Sequence, residues 1–509
     1  MRNFVKAIVG VRDIHRIAAR NIAWNYIGYI YQIGINLAFT AYIVRRLSVA
    51  EYGLFLFITS LSATLYFLDL GLSGILVKAY VEMTLDSDRG LLGELISTVF
   101  LALVALGAVG VLSSIILAAI LPGPFNIPSA YAHESSVICV LAAFVVQINL
   151  PGISLELAYQ ASHRFDRITQ IRVLTSTIQI VLSVAAVVTR HGIVALAVVQ
   201  LLSSALRLFL LAAGLPASVP NAHLSLRRFN RDLLMSLIRL SKWAFLNNLA
   251  TSLFELLAWT LLGSLSSMKE AAIYGLAIKL PDHLWNMIDK GANIALPLLS
   301  RSCAEGDLEG IQRIYLKTQQ LLFGAVLPFV VLGIFVAKPL IDIWAGSQYT
   351  SAALVMQYLL LGVISHAAGY SANQLLYASG QVKKATKIAL WEYILSIACS
   401  LPLIARYGAS GLAAGIAISQ LCINFGWLTW AACEFSRTSL LAMVKFVMGG
   451  LSWPLVVLAA ELLIISSISS HLSPPAVVIA ALLSGCIYLG VWSIRMALSL
   501  YRSQSEIVA

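Results

Sequence analysis

The stretch AIKLPDHLWNMIDKGANIALP, residues 277–297, places charged and amide side chains at helical spacing within an apolar region. They are Lys279, Asp282, His283, Asn286, Asp289, Lys290 and Asn293. At about 100° per residue they all fall within an arc of about 120° on one helix. The opposite arc is apolar and carries Leu280, Pro281, Leu284, Met287, Ile288 and Ile294. Ammonium groups on such a polar stripe can bind anions, and its carboxylates can bind cations or pair with the lysines.

A stripe of this kind cannot face lipid, because each charged side chain at mid-bilayer costs about 2.5–3.5 kcal/mol on insertion. It must face water, a ligand or other helices. One interpretation is a set of ion pairs that holds a helix bundle together, and the other is the wall of a polar cavity. The stretch is 21 residues long, roughly the thickness of a membrane. That length favours the cavity, since a single locking pair needs much less.

The helices around this stretch must themselves cross a membrane. Of the 509 residues, 60% are hydrophobic and 11% are charged, which excludes a soluble globular protein. Apolar runs of about 20 residues recur throughout and predict an all-α polytopic membrane protein with about fourteen transmembrane helices. The predicted spans are 22–44, 54–77, 95–121, 135–157, 171–189, 193–215, 243–264, 272–299, 318–337, 351–377, 386–405, 409–432, 446–468 and 475–496.

Basic residues concentrate in alternate loops. With a cytoplasmic N-terminus, 25 of the 34 Lys and Arg residues fall in inner segments and six in outer loops. This positive-inside bias predicts that both termini are cytoplasmic. The net charge of +11 then indicates contact with anionic phospholipids rather than nucleic acid. Arg207 lies within a span and is expected to snorkel to the inner surface.

The two halves of the chain repeat one another. Residues 216–242 are interpreted as a cytoplasmic linker that ends in a helix on the membrane surface. Motifs in the two halves match in the same order at offsets of 222, 220, 218 and 216 residues. The matches pair Tyr52 with Tyr274, Asp69 with Asp289, Tyr159 with Tyr377 and Gly192 with Gly408. Six spans precede the linker, which predicts parallel repeats around a central cavity.

The predicted organisation follows from the spans and the linker. It comprises a basic cytoplasmic N-terminus (1–21), an N-lobe of six helices (22–215), the linker (216–242), a C-lobe of six helices (243–432), and two further helices with a cytoplasmic tail (433–509).

Three other spans carry polar residues that would line the cavity. In the first span, Asn21, Asn25, Gln32 and Asn36 lie within about 60° of one another on a helix. The second span contributes Asp69, and the seventh contributes Asn248, Thr251 and Glu255 on one face. Isolated polar residues elsewhere are expected to be hydrogen-bond partners between helices, namely His366, Glu392 and Glu461.

The segment NIAWNYIGYIYQIGINLAFTAYIVRRLSVAEYGLFLFITSLSATLYFLDLGLSGILVKAYVE carries an early Asn, R-x-L after the first span, Y-G-L and D-x-G-L. It resembles the start of the polysaccharide flippases, the O-antigen and exopolysaccharide translocases. These belong to the multidrug/oligosaccharidyl-lipid/polysaccharide exporter superfamily, and the similarity covers roughly residues 21–435. The resemblance implies two six-helix lobes, a cavity lined by helices one, two, seven and eight, and alternating access. It also implies an undecaprenyl-pyrophosphate-linked oligosaccharide as cargo and coupling to H+ or Na+.

The candidate site residues divide by their chemistry. Those assigned to cargo are Lys279, Lys290, His283, Asn286, Asn293, Asn25, Gln32, Asn36 and Asn248, and those assigned to the coupling ion are Asp69, Glu255, Asp282 and Asp289. When all are ionised, the two lysines carry a charge of +2 and the four carboxylates a charge of −4. A pyrophosphate, in contrast, calls for a cationic cavity. Either some carboxylates are paired or protonated, or the protein is a cation-coupled multidrug exporter of the same superfamily.

A membrane-embedded glycan polymerase or ligase is a third class. Such an enzyme would carry catalytic residues on a substantial outer loop, and the longest predicted outer loop is only residues 122–134. The sequence also contains no phosphate-binding Gly loop, zinc-binding helix or nucleophile elbow. We therefore expect a transporter of the cytoplasmic (inner) membrane rather than an enzyme, with no metal or cofactor. Its expected partners are lipid-linked oligosaccharide and other polysaccharide assembly proteins.

Overall fold

The computed structural model describes residues 11–72, 76, 79–80, 91–121, 123–125, 127–189, 191–219, 224–225, 227–293 and 295–508. Within these ranges the side chains of residues 11–19, 21–23, 25–26, 91, 243–244, 247, 293, 470 and 497–508 lie outside the description. The described residues are almost entirely helical and contain no β-strand. The predicted all-α class is confirmed.

The chain divides into two compact units, Met1–Ser264 and Leu265–Ala509. The described helices of the first unit are α1 (Val11–Val44), α2 (Val49–Ala63), α3 (Leu91–Ile120), α4 (Ala132–Ala161), α5 (Phe165–Val188), α6 (Gly192–Ser218) and α7 (Arg231–Leu265). Those of the second are α8 (Met268–Ala277), α9 (Lys279–Asn293), α10 (Ala295–Glu305), α11 (Leu308–Phe335), α12 (Ala337–Trp344), α13 (Ala352–Ala378), α14 (Val382–Gln420), α15 (Thr429–Phe435), α16 (Leu440–Ile468) and α17 (Pro474–Val508). The predicted division into lobes 22–215 and 243–432 stays a prediction.

Among the described residues, twelve helical segments are long and apolar enough to cross a membrane. They differ from the fourteen predicted spans in two places. Residues Val382–Phe435 form one segment that contains the predicted eleventh and twelfth spans. These are two helices that meet at Gly408, whose φ of 56° and ψ of −129° are not helical. The predicted eighth span is not among the twelve, because the described residues there form three short helices, α8, α9 and α10.

Local structure agrees with the internal repeat at one of the four matched pairs, the glycines, and shows a similar helix start near the first tyrosine pair. Helices α2 and α8 both begin at a serine N-cap, Ser48 or Ser267, whose hydroxyl accepts a hydrogen bond from the backbone N–H of a Glu three residues later. Gly192 and Gly408 both have positive φ, at 73° and 56°. Such a conformation favours glycine because it has no Cβ.

The matched aspartates have different backbone surroundings. Helix α2 is followed by a 3₁₀ turn, Thr64–Asp69, that ends in left-handed conformations at Leu70 and Gly71. The helical run that begins at Val49 therefore ends at Asp69, within the predicted second span. Asp289, in contrast, lies within helix α9.

The predicted helix on the membrane surface is wrong as a separate element, because Arg231–Leu265 is one continuous helix. No proline or glycine interrupts residues 231–262, and Leu237 packs into the core of the first unit. The residue before this helix anchors it. The side-chain oxygen of Asn230 accepts from the N–H of Leu233 at 3.0 Å, and its amide group donates to Glu94 at 2.6 Å.

Candidate transport site

Helix α9 has one buried side and one exposed side. Pro281, Leu284, Ile288 and Ala292 are buried, which is the i, i+3, i+4 spacing of a single helical face. The exposed side carries Asp282, Asn286 and Lys290 at intervals of four residues. Lys279, His283 and Asp289 are half-buried at its margins. The predicted separation of polar and apolar arcs is thus present in the fold of the second unit.

The most definite contact of this stripe joins α9 to α13. Nε2 of His366 lies 2.8 Å from Oδ1 of Asp289. The imidazole is flanked by Trp285, at 6.3 Å between ring centroids, and by Tyr370, at 5.5 Å. One of the four carboxylates assigned to ion coupling therefore has a partner that becomes cationic on protonation.

Charged groups interact along the first turns of α9. Asp282 interacts electrostatically with His283 and Lys279, and the amide of Asn286 donates to the backbone carbonyl of Asp282 at 2.8 Å. The first two turns of α9 consequently bring together an ammonium group, a carboxylate, an imidazole and an amide. Asn293 ends the helix, and its side chain lies outside the described residues.

In the first unit, the polar face of α1 contacts α5. Nε2 of Gln32 donates to the hydroxyl of Ser176 at 2.8 Å, and the amide of Asn36 reaches Oε1 of Gln32 at 3.5 Å. Asn36 is exposed, whereas Gln32 is half-buried. The side chain of Asn25 lies outside the described residues.

The turn after α2 brings Asp69 and Asn248 together. Oδ1 of Asp69 accepts from the backbone N–H of Gly71 at 2.7 Å and from the amide of Asn248 at 3.4 Å. Asp69 is 5% exposed, so its carboxylate stabilises the end of a helix and joins that end to α7. Glu255, two turns further along α7, is exposed.

Two of the three isolated polar residues form the predicted contacts between helices. They are His366, as described above, and Glu392, whose Oε1 accepts from the amide of Asn424 at 3.1 Å. Glu461 does not follow the expectation, because its buried Oε2 has no hydrogen-bond partner among the described residues.

Snorkelling of Arg207 to the inner surface stays a prediction, and its guanidinium donates to Glu156. Arg172 approaches the other oxygen of this carboxylate at 3.6 Å. Sequence reasoning did not select Glu156 or Arg172, because the three residues lie on separate helices and no motif links them. The sequence signal that could have suggested the pair is that Arg207 and Glu156 are each an isolated charge in an apolar span.

Together, the fold and the polar helix faces define a multi-pass helical membrane protein. The chain matches the polysaccharide biosynthesis protein family over residues 42–354 and belongs to that family. The predicted resemblance is confirmed at this level. The comparison with curated protein sequences found no match.

Solved structures show the same fold. The chain is 13% identical to the lipid II flippase MurJ in an inward closed conformation, with 95% of this chain and 100% of that chain covered and a TM-score of 0.71. It is 14% identical to an inward-facing multidrug resistance MATE family transporter of the MOP superfamily, over 81% and 95% of the two chains, with a TM-score of 0.62. A eukaryotic MATE transporter is 16% identical over 84% and 98%, with a TM-score of 0.58. The chain therefore has the fold of this transporter superfamily.

Proposed function

We propose that the protein moves an undecaprenyl-pyrophosphate-linked oligosaccharide across the cytoplasmic membrane by alternating access through a central cavity. Both termini would be cytoplasmic, as the distribution of Lys and Arg suggests. Membership of the polysaccharide biosynthesis family supports a glycan as cargo. The fold shared with MurJ, itself a lipid II flippase, supports a lipid-linked form of that glycan.

The observation that carries the proposal is the amphipathic helix α9. Its exposed side holds Asp282, Asn286 and Lys290, while its other side is buried against apolar neighbours. A lipid bilayer does not solvate such a side. A water-filled passage for a polar headgroup would solvate it. The amide and ammonium groups would then bind sugar hydroxyls and phosphate oxygens.

The carboxylates of the candidate site fit this proposal better than their number suggests. Asp69 accepts two hydrogen bonds within the first unit, and Asp289 is bonded to His366. Two of the four carboxylates are thus engaged by protein donors. A carboxylate engaged in this way competes less with a pyrophosphate for Lys279 and Lys290.

The test uses the purified full-length protein in sealed proteoliposomes that contain an undecaprenyl-pyrophosphate-linked oligosaccharide with a fluorescent sugar. A membrane-impermeant reductant added outside bleaches only the outer leaflet. We expect the protected fraction to disappear in vesicles that contain the protein and to persist in protein-free vesicles. Protection that persists in both would refute the proposal. Gradient-driven extrusion of ethidium in place of the glycolipid would instead support the multidrug exporter.

A further inference from the structure

The first unit contains an ion cluster that the proposed cargo stripe does not include. Glu156 of α4 accepts a hydrogen bond from Arg207 of α6, and its second oxygen lies 3.6 Å from Nη2 of Arg172 on α5. The glutamate side chain is 15% exposed, whereas those of Arg207 and Arg172 are 33% and 41% exposed. One carboxylate is therefore shared by two guanidinium groups, which leaves the cluster with a net positive charge.

A cavity of about 210 Å³ adjoins the cluster. Tyr66, Asn149, Glu156 and Arg207 form its polar lining, and apolar residues of α4 and α6 form the rest. The amide of Asn149 donates to the Tyr66 hydroxyl at 3.1 Å. Because that hydroxyl oxygen accepts, its proton remains available for a ligand. At about 30 Å³ per water, the cavity has room for about seven waters or for a small anion.

The lining is rich in donors and poor in acceptors. Guanidinium, phenol and amide N–H or O–H groups converge there, and the one charged acceptor is the carboxylate of Glu156. Arginine presents N–H groups in a planar fork that matches both carboxylate and phosphate oxygens. The oxygens of Glu156 therefore occupy positions that the oxygens of a phosphate group would take.

The cluster is within reach of the predicted cytoplasmic side. Glu156 is five residues from the end of α4 at Ala161, and Arg172 is seven residues from the start of α5 at Phe165. At 1.5 Å per residue, these are depths of about 7–11 Å. A phosphate from the cytoplasm, or one on a lipid headgroup of the inner leaflet, can approach such a depth.

We propose that this cavity is a phosphate-binding site, in which a phosphate ester or free phosphate takes the place of the Glu156 carboxylate on Arg207. Tyr66 and Asn149, which line the cavity, supply the further donors. Arg172 lies 3.6 Å from the Glu156 oxygen that the phosphate would replace. The site is distinct from the stripe on α9, and the proposal depends neither on a glycan cargo nor on transport. A cluster that serves only to hold α4, α5 and α6 together would not need the adjoining cavity or the free phenol proton.

The test measures phosphate binding by the full-length protein in phosphatidylcholine nanodiscs. One arm uses radiolabelled inorganic phosphate, and the other adds phosphatidic acid to the nanodiscs and counts retained lipids by native mass spectrometry. We expect Arg207→Gln to weaken binding at least tenfold. Arg301→Gln is the matched control, because Arg301 forms an exposed pair with Glu305 at 2.8 Å. Binding in the first arm alone identifies free phosphate as the ligand, and retention in the second identifies a lipid headgroup.

Two further variants separate binding from structural support. Glu156→Gln removes the carboxylate that competes with phosphate, so it should strengthen phosphate binding severalfold. If the cluster only supports the structure, the same variant should weaken phosphate binding. Tyr66→Phe leaves all three ionic groups intact and should weaken binding severalfold. The proposal fails if the wild type binds neither probe, if Arg301→Gln weakens binding as much as Arg207→Gln, or if Glu156→Gln loses binding. No gradient or glycolipid is present, so these outcomes leave the transport proposal untouched.

Discussion

Nε2 of His366 and Oδ1 of Asp289 lie 2.8 Å apart and join helix α13 to helix α9. The aspartate side chain is 39% exposed and the histidine side chain 23% exposed, so the pair lies at the edge of the polar stripe and is only partly covered by the protein. A cation that binds Asp289 must compete with the imidazole, and protonation of His366 strengthens the pair. A change of the bound ion at this position would therefore alter the contact between two helices.

The first prediction concerns coupling through Asp289. Asp289→Asn keeps a hydrogen-bonding side chain beside His366 but removes the charge that would bind a cation. We expect transport in proteoliposomes to proceed at the same rate with and without an imposed proton or sodium gradient, whereas the wild type responds to one of them. Asp342→Asn is the control, since Asp342 accepts a hydrogen bond from the hydroxyl of Thr350 at 2.5 Å in a predicted outer loop. Full gradient dependence in Asp289→Asn would mean that coupling does not depend on Asp289, with Asp69, Glu255 and Asp282 as the remaining candidates.

The second prediction concerns Lys290, which is exposed on the polar side of α9. Lys290→Ala should reduce flipping of the fluorescent glycolipid at least tenfold, because a charge-assisted bond to phosphate is lost. Lys290→Arg should restore part of the activity, since it keeps the charge. Lys269→Ala provides a comparison at an exposed lysine on α8. If Lys290→Ala and Lys269→Ala flip equally well, Lys290 does not contact the cargo.

Most of the membrane-spanning helices could be predicted from the sequence, because an apolar run of about 20 residues has few alternatives to a spanning helix. The polar stripe of α9 was equally predictable, since helical periodicity assigns its faces before any contact is known. The positions at which helices are interrupted were harder to predict. Gly408 interrupts α14 only through its φ and ψ, and the chain after Ala63 tightens into a 3₁₀ turn without a proline.

Contacts between distant residues could not be predicted from one sequence. His366 was expected to bond another helix, but its partner Asp289 is 77 positions away and many polar residues compete for that role. The cluster of Glu156 with Arg172 and Arg207 depends on how three helices pack, and single-helix periodicity carries no such information. The internal repeat predicted equivalent positions for Asp69 and Asp289. Their backbone surroundings differ, because Asp69 ends a helical segment while Asp289 lies within one.

The third prediction tests the backbone at Gly408. Its φ of 56° and ψ of −129° lie in a region that only glycine adopts readily. An added Cβ would also meet the carboxylate of Glu270, which accepts a hydrogen bond from the N–H of Ala409 at 2.8 Å. Gly408→Ala should lower the free energy of unfolding by about 1–3 kcal/mol, measured as a loss of thermal stability in detergent.

Gly192→Ala is the matched control for Gly408→Ala, because Gly192 also has positive φ but no atom within 4 Å of an added Cβ. Gly192→Ala should lose less stability than Gly408→Ala, because only the cost of placing alanine at positive φ applies. Equal losses in the two variants would show that the contact with Glu270 contributes nothing.

The last prediction tests whether the two sides of α9 differ in solvent access. Single cysteines are introduced into a protein whose six native cysteines are replaced, and a small membrane-impermeant thiol reagent is added. Asp282→Cys, Asn286→Cys and Lys290→Cys should react, since these positions are exposed. Leu284→Cys, Ile288→Cys and Ala292→Cys should not, since these positions are buried.

Alternating access adds a second expectation for the same variants. Because cargo must bind the two end states differently to be moved, the glycolipid should change the ratio of labelling between Asp282→Cys and Lys290→Cys. These positions are eight residues, or about 12 Å, apart along the helix. They therefore sample different depths of the proposed cavity. Labelling that ignores the helical period would mean that the stripe is a buried set of ion pairs, and the transport site would have to lie on other helices.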